Sequence, residues 1–403
     1  MSTESLQIAQ SNSISKATRL YFVDWLRVMA MFSIFLFHSN RFFTLGNWHI
    51  SNAERSLAST IFEQTFNLWM MPLFFILSGA AVYYSLKSRT AGGFVQERIT
   101  RILVPFIGIG IFVLGAIQIY LDRLSHGEFS GNFFQFYPHY FDGLDGFGGN
   151  FAWAGVHLWY LMDIFIFSLI ALPLFLPYGQ TRKSILSRLA SKLNSAGVLL
   201  LIFLFLVVAG AVTDLAGLGI TEAWGSWDIL SYFVFFIYGY LIFSKEGIQD
   251  ILSRYSLAAL IAASLLTIVH LLLTFIPSLN TMYDSWPLDL RGLCAWSWIV
   301  AFLGIGSRFL NYSNRFLGYA NEAVLPFYIL HQPVILSIGY FVVQWTLPII
   351  AKYFIIASTS FIAIMVLYEL LVRRINVLRF LFGMRPMKPR RQSKAELATA
   401  GRI

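Results

Sequence analysis

Apolar residues in this chain come in long unbroken blocks rather than in alternation, at about 23–43, 62–86, 102–121, 153–176, 197–216, 228–244, 255–276, 291–310, 322–345 and 348–372. Each block is close to the roughly 20 residues that carry an α-helix across a bilayer's hydrocarbon core. Most are bounded by charge, Pro or Gly, and the apolar character runs around the whole helix, as lipid-facing spans require. The pattern predicts an all-α polytopic membrane protein with about ten transmembrane helices. Residues 1–20 are polar, with Ser, Gln and Asn and no apolar core of a signal peptide, and read as a cytosolic tail. Residues 21–373 form the transmembrane domain. Residues 374–403 are a basic cytosolic tail suited to anionic headgroups.

The basic residues set the orientation. With ten spans and both termini cytosolic, 23 of the 29 Lys and Arg fall on the inner side: Lys16 and Arg19, then Lys87, Arg89, Arg98 and Arg101, then Arg182, Lys183, Arg188 and Lys192, then Lys245 and Arg254, Arg308 and Arg315, and nine from Arg373 onward. The outer face keeps Arg41, Arg55, Arg123, Arg291 and Lys352, while Arg27 lies within the first span. That asymmetry obeys the positive-inside rule, and a missed helix would scramble it.

Composition agrees. Of 403 residues, 57% are hydrophobic and 12% charged, half the charged share of an ordinary soluble domain. These values exclude a water-soluble globule, a disordered chain and a nucleic-acid-binding domain. The net charge of +9 is first a matter of topology. A single cysteine, Cys294, excludes an intrachain disulfide and a cysteine-based metal site. No internal repeat of the kind many transporters show is present. The longest outer loop, roughly Asp122 to Ala152, is rich in Gly, Phe and Tyr and carries Asp142 and Asp145. It reads equally as a cover over a pocket mouth that touches sugar through aromatic faces and as a loop resting at the lipid interface.

Ionisable groups at membrane depth are costly, and each is a candidate site. The first span holds Asp24, Arg27 and His38. Arg27 and His38 are 11 residues apart, close to three full turns, so they share one helix face about 16 Å apart. Arg27 is toward the inner end, where Asp24 pairs with it at i, i+3, and His38 is toward the outer end. Arg98 and Arg101 share a face at the inner entrance to the third span; paired guanidinium groups suit phosphate oxygens, although the same pair also reads as plain topology charge. His157 opens the fourth span, with Asp163 deeper. The ninth contains Glu322, Pro326, Tyr328 and His331; Tyr328 and His331 share a face, and Pro326 frees a carbonyl in mid-span. Glu369 and Arg373 read as an ion pair at i, i+4, and His270 as structural. Ser78 beside Gly79 reads as tight helix packing rather than as a nucleophile.

Several of these positions carry a resemblance. Tyr21-Phe22-Val23-Asp24-Trp25-Leu26-Arg27 with the later His38, Pro72 to Gly79, Arg98-Ile99-Thr100-Arg101 with Pro105, His157-Leu158-Trp159 and Phe327-Tyr328-Ile329-Leu330-His331 resemble, in order, blocks of the acyltransferase 3 family of integral membrane proteins. The outer-loop segment Asn47 to Glu54 is similar to one in the glucan biosynthesis protein C branch of that family, associated with succinylating periplasmic glucans. Span nine reads Glu322-Ala323-Val324-Leu325-Pro326 where many members have a Ser-containing version.

The resemblance implies an enzyme of a bacterial inner membrane that passes an acyl group, acetyl or succinyl, from cytosolic acyl-CoA to a hydroxyl of an extracytoplasmic glycan such as periplasmic glucan. No bound cofactor is implied; acyl-CoA is a co-substrate. His38 would be the catalytic imidazole, as base or acyl carrier. Arg27, Arg98 and Arg101 would hold the donor, with Asp24, His157, Asp163, Tyr328 and His331 in support. Imidazole is well placed for proton transfer near neutral pH. Convergence of His38, His157 and His331 on a metal is a minor alternative, and no metal is expected. The competing class is a proton-coupled exporter using Asp24, His38, Asp163 and His331 as a relay.

Overall fold

The computed structural model describes residues 20–177, 184–192, 225, 227–245, 247–279 and 290–387. The expected span at 197–216, residues 1–19 of the N-terminal tail and residues 388–403 of the C-terminal tail lie outside the described residues. Among the described residues the chain is helical, and β-structure amounts to two isolated bridges, Leu144 with Phe151 and Pro177 with Ser184.

In chain order the helices are α1 (Tyr21–Asn40), α2 (Leu57–Asn67), α3 (Met70–Ser88), α4 (Ala91–Ser125), α5 (Val156–Ile170), α6 (Ile185–Lys192), α7 (Ile229–Ser244), α8 (Ile248–Phe275), α9 (Leu290–Phe309), α10 (Arg315–Val342), α11 (Ile349–Val372) and α12 (Asn376–Leu381). Among the described residues seven segments are long and apolar enough to cross a membrane: α1 with its following turn, the run α2–α3, and α4, α8, α9, α10 and α11. The shorter apolar helices α5 and α7 match two further expected spans. α5 stops early because Pro173, which lacks an N–H, breaks the helix into a separate turn, Leu172–Phe175. The described chain is that of a multi-pass membrane protein. α8 exposes Leu257, Ile261, Leu265, Ile268 and Leu272 on successive turns, and α11 exposes Ile350, Phe354, Ile362 and Val366. Such stripes suit contact with lipid.

α4 is longer than the expected 102–121 and not uniformly α-helical. It widens into π-helix at Ile99–Leu103 and Phe106–Gly115, on either side of Pro105. α11 ends in a π turn, Tyr368–Val372. π segments are rare and concentrate at functional sites.

Two compact units divide the chain. The first contains residues 1–33, 65–81 and 185–321. Within it α3 and α7 meet backbone to backbone at Gly79 and Gly239, where a Cβ on either would collide with the facing helix. α8 and α9 pack closely at Gly304, set against the Leu252 carbonyl. Trp298 Nε1 donates to Thr267 Oγ1 at 3.0 Å, and Cys294 lies 3.2 Å from the same hydroxyl. The second unit contains residues 34–64, 82–184 and 322–403. There Gly339 of α10 receives the Phe42 ring, and Gly110 of α4 receives Leu158.

Candidate functional site

His38 lies in the last turn of α1, in the second unit. Beyond Asn40, whose side chain donates to the Ser59 carbonyl at 2.8 Å, the chain turns through Arg41–Phe43 and comes back over the helix end. That return places Trp48 parallel to the His38 ring, centroids 6.0 Å apart at 18°. The loop is firmly held. Arg41 pairs with Glu63, donates to the Asn47 carbonyl at 3.2 Å and lies 6.0 Å over Trp48. Buried Lys352 donates to Asn52 Oδ1 and to the Val343 carbonyl, both at 2.8 Å. His49 contacts Asp122 at 3.0 Å.

α10 supplies the next layer. His331 is wholly buried, with Nδ1 2.6 Å from the Tyr328 carbonyl. Two residues on, Pro333 offers no N–H, so the Ile329 carbonyl loses its normal helical donor. His157 takes that place, with Nε2 3.2 Å from the Ile329 oxygen. Its Nδ1 faces Gln118 Oε1 at 3.1 Å, and Gln118 in turn donates to the Leu114 carbonyl at 3.0 Å. Tyr328 closes the arrangement by donating its hydroxyl to the His157 carbonyl at 2.6 Å.

Unusual backbone aims His157. Gly155 has φ +79° and Val156 φ +53°. The first suits glycine. The second is an outlier for a β-branched residue, a strain of order 1–3 kcal/mol that persists where the surroundings enforce it. A Cβ at Gly155 would also meet the Phe106 ring.

The structure therefore brings together His38, His157, Tyr328 and His331. The ring centroids of His38 and His331 are 5.1 Å apart, those of His331 and His157 5.0 Å, and those of His157 and Tyr328 5.8 Å. His38 Nδ1 and His331 Nε2 are both buried and lack a hydrogen-bond partner. Asp163 is buried on α5 with Oδ1 unpartnered. Among the described residues no group of three His, Cys, Asp or Glu is set to hold a metal ion. Trp48, Gln118 and Pro333 belong to the site although sequence reasoning did not single them out; Pro333, seven residues after the Pro326 it did consider, was the available signal.

Arg98 and Arg101 lie where α4 passes into its first π stretch, so the assumed α-helical turn between them is widened. Arg98 lies 4.7 Å over the Phe94 ring with its Nε buried and unpartnered. Arg101 is 45% exposed and 3.6 Å from Glu97, a carboxylate shared with Arg89 at 3.1 Å and with the Ser85 hydroxyl at 3.0 Å. Asp24 and Arg27 belong to the first unit and form the expected pair at 3.3 Å. The expected Arg373–Glu369 pair is present at 2.8 Å. Glu322 accepts from buried Arg379 at 3.1 Å, which ties the segment after α11 to the start of the ninth expected span.

The long outer loop is folded rather than loose. Asn132 and Gln135 form a capping box around the turn Phe133–Phe136. Phe136, Tyr140 and Ala152 pack on Ala116 and Ile119 of α4. Tyr137 and Tyr140 donate to the carbonyls of Phe112 and Ile111 in the second π stretch. Arg123 gathers Asp122, Glu128, Asp145 and Asn150. Burial pushes the Asp145 carboxyl above its ordinary value while Arg123 opposes the shift. Phe134 and Phe147 remain largely exposed.

Residues 20–369 match the acyltransferase 3 family model, described as an acyltransferase domain. That match covers most of the chain, and the protein belongs to this family and is an acyltransferase. The chain is also similar to the glucans biosynthesis protein C of Escherichia coli O157:H7 and of Escherichia coli strain K12. Each is 26% identical over 395 residues, covering 94% of this chain and 98% of the relative. No solved structure matches.

Proposed function

We propose that this acyltransferase 3 family protein moves an acetyl or succinyl group from cytosolic acyl-CoA to a hydroxyl of an extracytoplasmic glycan, with His38 as general base. The observation that carries the reading is the His38 ring itself. It is half-buried, flanked by Trp48 and His331, and placed at the end of the helix that opens the family match. Such a base contributes about 10²–10⁴ in rate, and a site poor in water spares the thioester from hydrolysis. The name of the full-length relatives supports a glucan as acceptor. Arg98 and Arg101 suit the donor's phosphates, with the Arg98 Nε still without a partner. The same role for Arg27 and the supporting role of Asp24 rest on the sequence motif, and the supporting role of Asp163 rests on its being a carboxyl at membrane depth. Family membership favours this enzyme over the exporter.

The topology in this proposal is ten spans in a bacterial inner membrane with both termini cytosolic, supported by the distribution of Lys and Arg. The test is mass spectrometry of envelope glycans from cells carrying His38→Ala, His38→Asn or His38→Gln at matched protein levels. Acylation is lost in all three, because neither amide accepts a proton near neutral pH, while acyl-CoA binding by purified protein persists. Substantial acylation by His38→Ala removes His38 from the chemistry.

A further inference from the structure

We infer that His331 is a positioning residue for His38, fixing the tautomer in which His38 Nε2 is the basic atom. The inference rests on the acyl-transfer reading of His38 and deepens it.

The Tyr328 backbone carbonyl sets the tautomer of His331. The Tyr328 oxygen can only accept, and His331 Nδ1 lies 2.6 Å from it, so Nδ1 carries the hydrogen. In the neutral ring, His331 Nε2 is then a bare lone pair. It is fully buried and has no partner. Leaving a buried acceptor unpaired is costly, and the neighbouring ring holds a group of matching need. His38 Nδ1 is also buried and also without a partner. A hydrogen bond of about 3 Å between two imidazole nitrogens, each roughly 1 Å out from its ring centre, puts the centroids about 5 Å apart. The observed separation is 5.1 Å, with the planes tilted by 47°. At that spacing, rotation about the His38 side-chain bonds can join His38 Nδ1–H to His331 Nε2 and satisfy both atoms. Trp48 lies parallel to the His38 ring with centroids 6.0 Å apart.

The division of labour follows from burial. His331 is 0% exposed and His38 is half-buried, so an acceptor sugar meets His38 and His331 acts through it. In transfer, the acceptor O–H gives its proton to His38 Nε2 as its oxygen bonds the acyl carbon. The C–S bond to CoA breaks, and the proton on His38 passes to the departing thiolate. While His38 is charged, its Nδ1–H bond to the His331 lone pair stabilises the imidazolium. His331 itself cannot turn away. Its Nδ1–H is held by the Tyr328 carbonyl, and Tyr328 is held by the His157 carbonyl.

The experiment compares His331→Leu and His331→Gln in the full-length protein, with two readouts. The first is the ¹⁵N spectrum of ring-labelled histidine in purified protein, with His38 resonances assigned by their loss in His38→Ala. The second is glycan acylation in cells at matched protein level, alongside binding of acetyl-CoA and succinyl-CoA. In the wild type, His38 shows a protonated Nδ1 and a bare Nε2. In His331→Leu that signature shifts toward the opposite tautomer, and acylation falls at least tenfold while donor Kd stays within twofold. His331→Gln, whose amide oxygen accepts from Nδ1–H, recovers a good part of both. Inactive His38→Ala with a fully active His331→Leu overturns the positioning role and leaves the base intact. An inactive His331→Leu with an unchanged His38 tautomer also overturns it, as a merely structural effect. Active His38→Ala overturns the underlying reading instead.

Discussion

The same substitution, Gly→Ala, should have opposite signs at two helical positions of this chain. At Gly79 of α3 an added Cβ lands on the Phe236 carbonyl oxygen of α7, 2.7 Å from the Tyr240 nitrogen and 2.9 Å from the Gly239 Cα. Ordinary carbon contacts are about 3.5–4.0 Å, and every atom met is backbone, so nothing flexible yields. The helices must part by roughly 1 Å, losing close contact along their length. Overpacking of this kind costs about 1–3 kcal/mol, more than the 0.8–1.0 kcal/mol or so that Ala gains over Gly in helix propensity. Gly318 of α10 is exposed, with nothing within 4 Å of its Cβ position, so only the propensity gain remains. Gly318→Ala should therefore raise thermal stability, by about 0.5–1 kcal/mol, and Gly79→Ala, whose clash is entirely with backbone and so sits at the upper end of the overpacking range, should lower it by about 1–2 kcal/mol net. The measurement is the temperature at which each purified variant loses its monodisperse chromatographic peak in one detergent. Adding Gly239→Ala to Gly79→Ala should cost less than Gly239→Ala alone, because the helices have already parted. A Gly79→Ala protein as stable as the wild type would refute the close-approach argument.

Four further outcomes are expected. Arg98→Ala or Arg101→Ala should weaken acyl-CoA binding by about 1.5–3 kcal/mol, the value of a lost charge-assisted bond, with only partial rescue by Lys; unchanged titration in both returns these residues to a purely topological role. Pro333→Ala restores an N–H that competes with His157 for the Ile329 carbonyl, so glycan acylation should fall without loss of thermal stability; acylation at the wild-type level counts against the His157 bridge. Lys352→Met leaves Asn52 Oδ1 and the Val343 carbonyl without their donor and should destabilise the protein by about 1.5–3 kcal/mol, read as a lower thermal transition. Reporter fusions after Arg55 and within 130–145 should report outside, and those after Arg89, Arg188 and Ile403 inside; an outside signal at the C-terminus ends the even-span topology.

Much of the architecture was legible because lipid enforces a simple rule. Every backbone group in the hydrocarbon must be satisfied within the segment, so length and hydropathy alone located α1, α9 and α11 to within a few residues. The Asp24–Arg27 and Arg373–Glu369 pairs were legible for a similar reason, since i, i+3 and i, i+4 spacing puts both partners on one helix face. The meeting of His38 with His331 and His157 was suggested by residue type, but its geometry was not, because it joins α1, α5 and α10 across long sequence separations. Trp48 was hidden in a loop whose path depends on Arg41, Glu63 and Lys352 together. The π stretches of α4 were invisible, because hydropathy does not distinguish five-residue from four-residue hydrogen bonding.

Irregular backbone in this protein collects around the imidazoles, and the reason is physical. A carbonyl released from its helical N–H needs another donor at membrane depth, and a side chain from a neighbouring helix can supply it. Pro333 releases the Ile329 carbonyl, and His157 fills the vacancy. The left-handed residues Gly155 and Val156 turn the chain so that His157 can reach it. The second π stretch of α4 presents the Ile111 and Phe112 carbonyls to tyrosines of the outer loop, and one turn further on Gln118 faces His157. Each departure costs free energy in isolation, and each is compensated by a hydrogen bond from a neighbour that the departure itself admits. Replacing His157 by an apolar residue of similar volume would therefore not simply remove one bond. It would orphan the Ile329 carbonyl and free Gln118, loosening the wall against which Tyr328 holds His331. His157 is thus held by a defect in α10 rather than by a regular helix, so its placement should depend on Pro333 and on the glycine that turns the chain toward it.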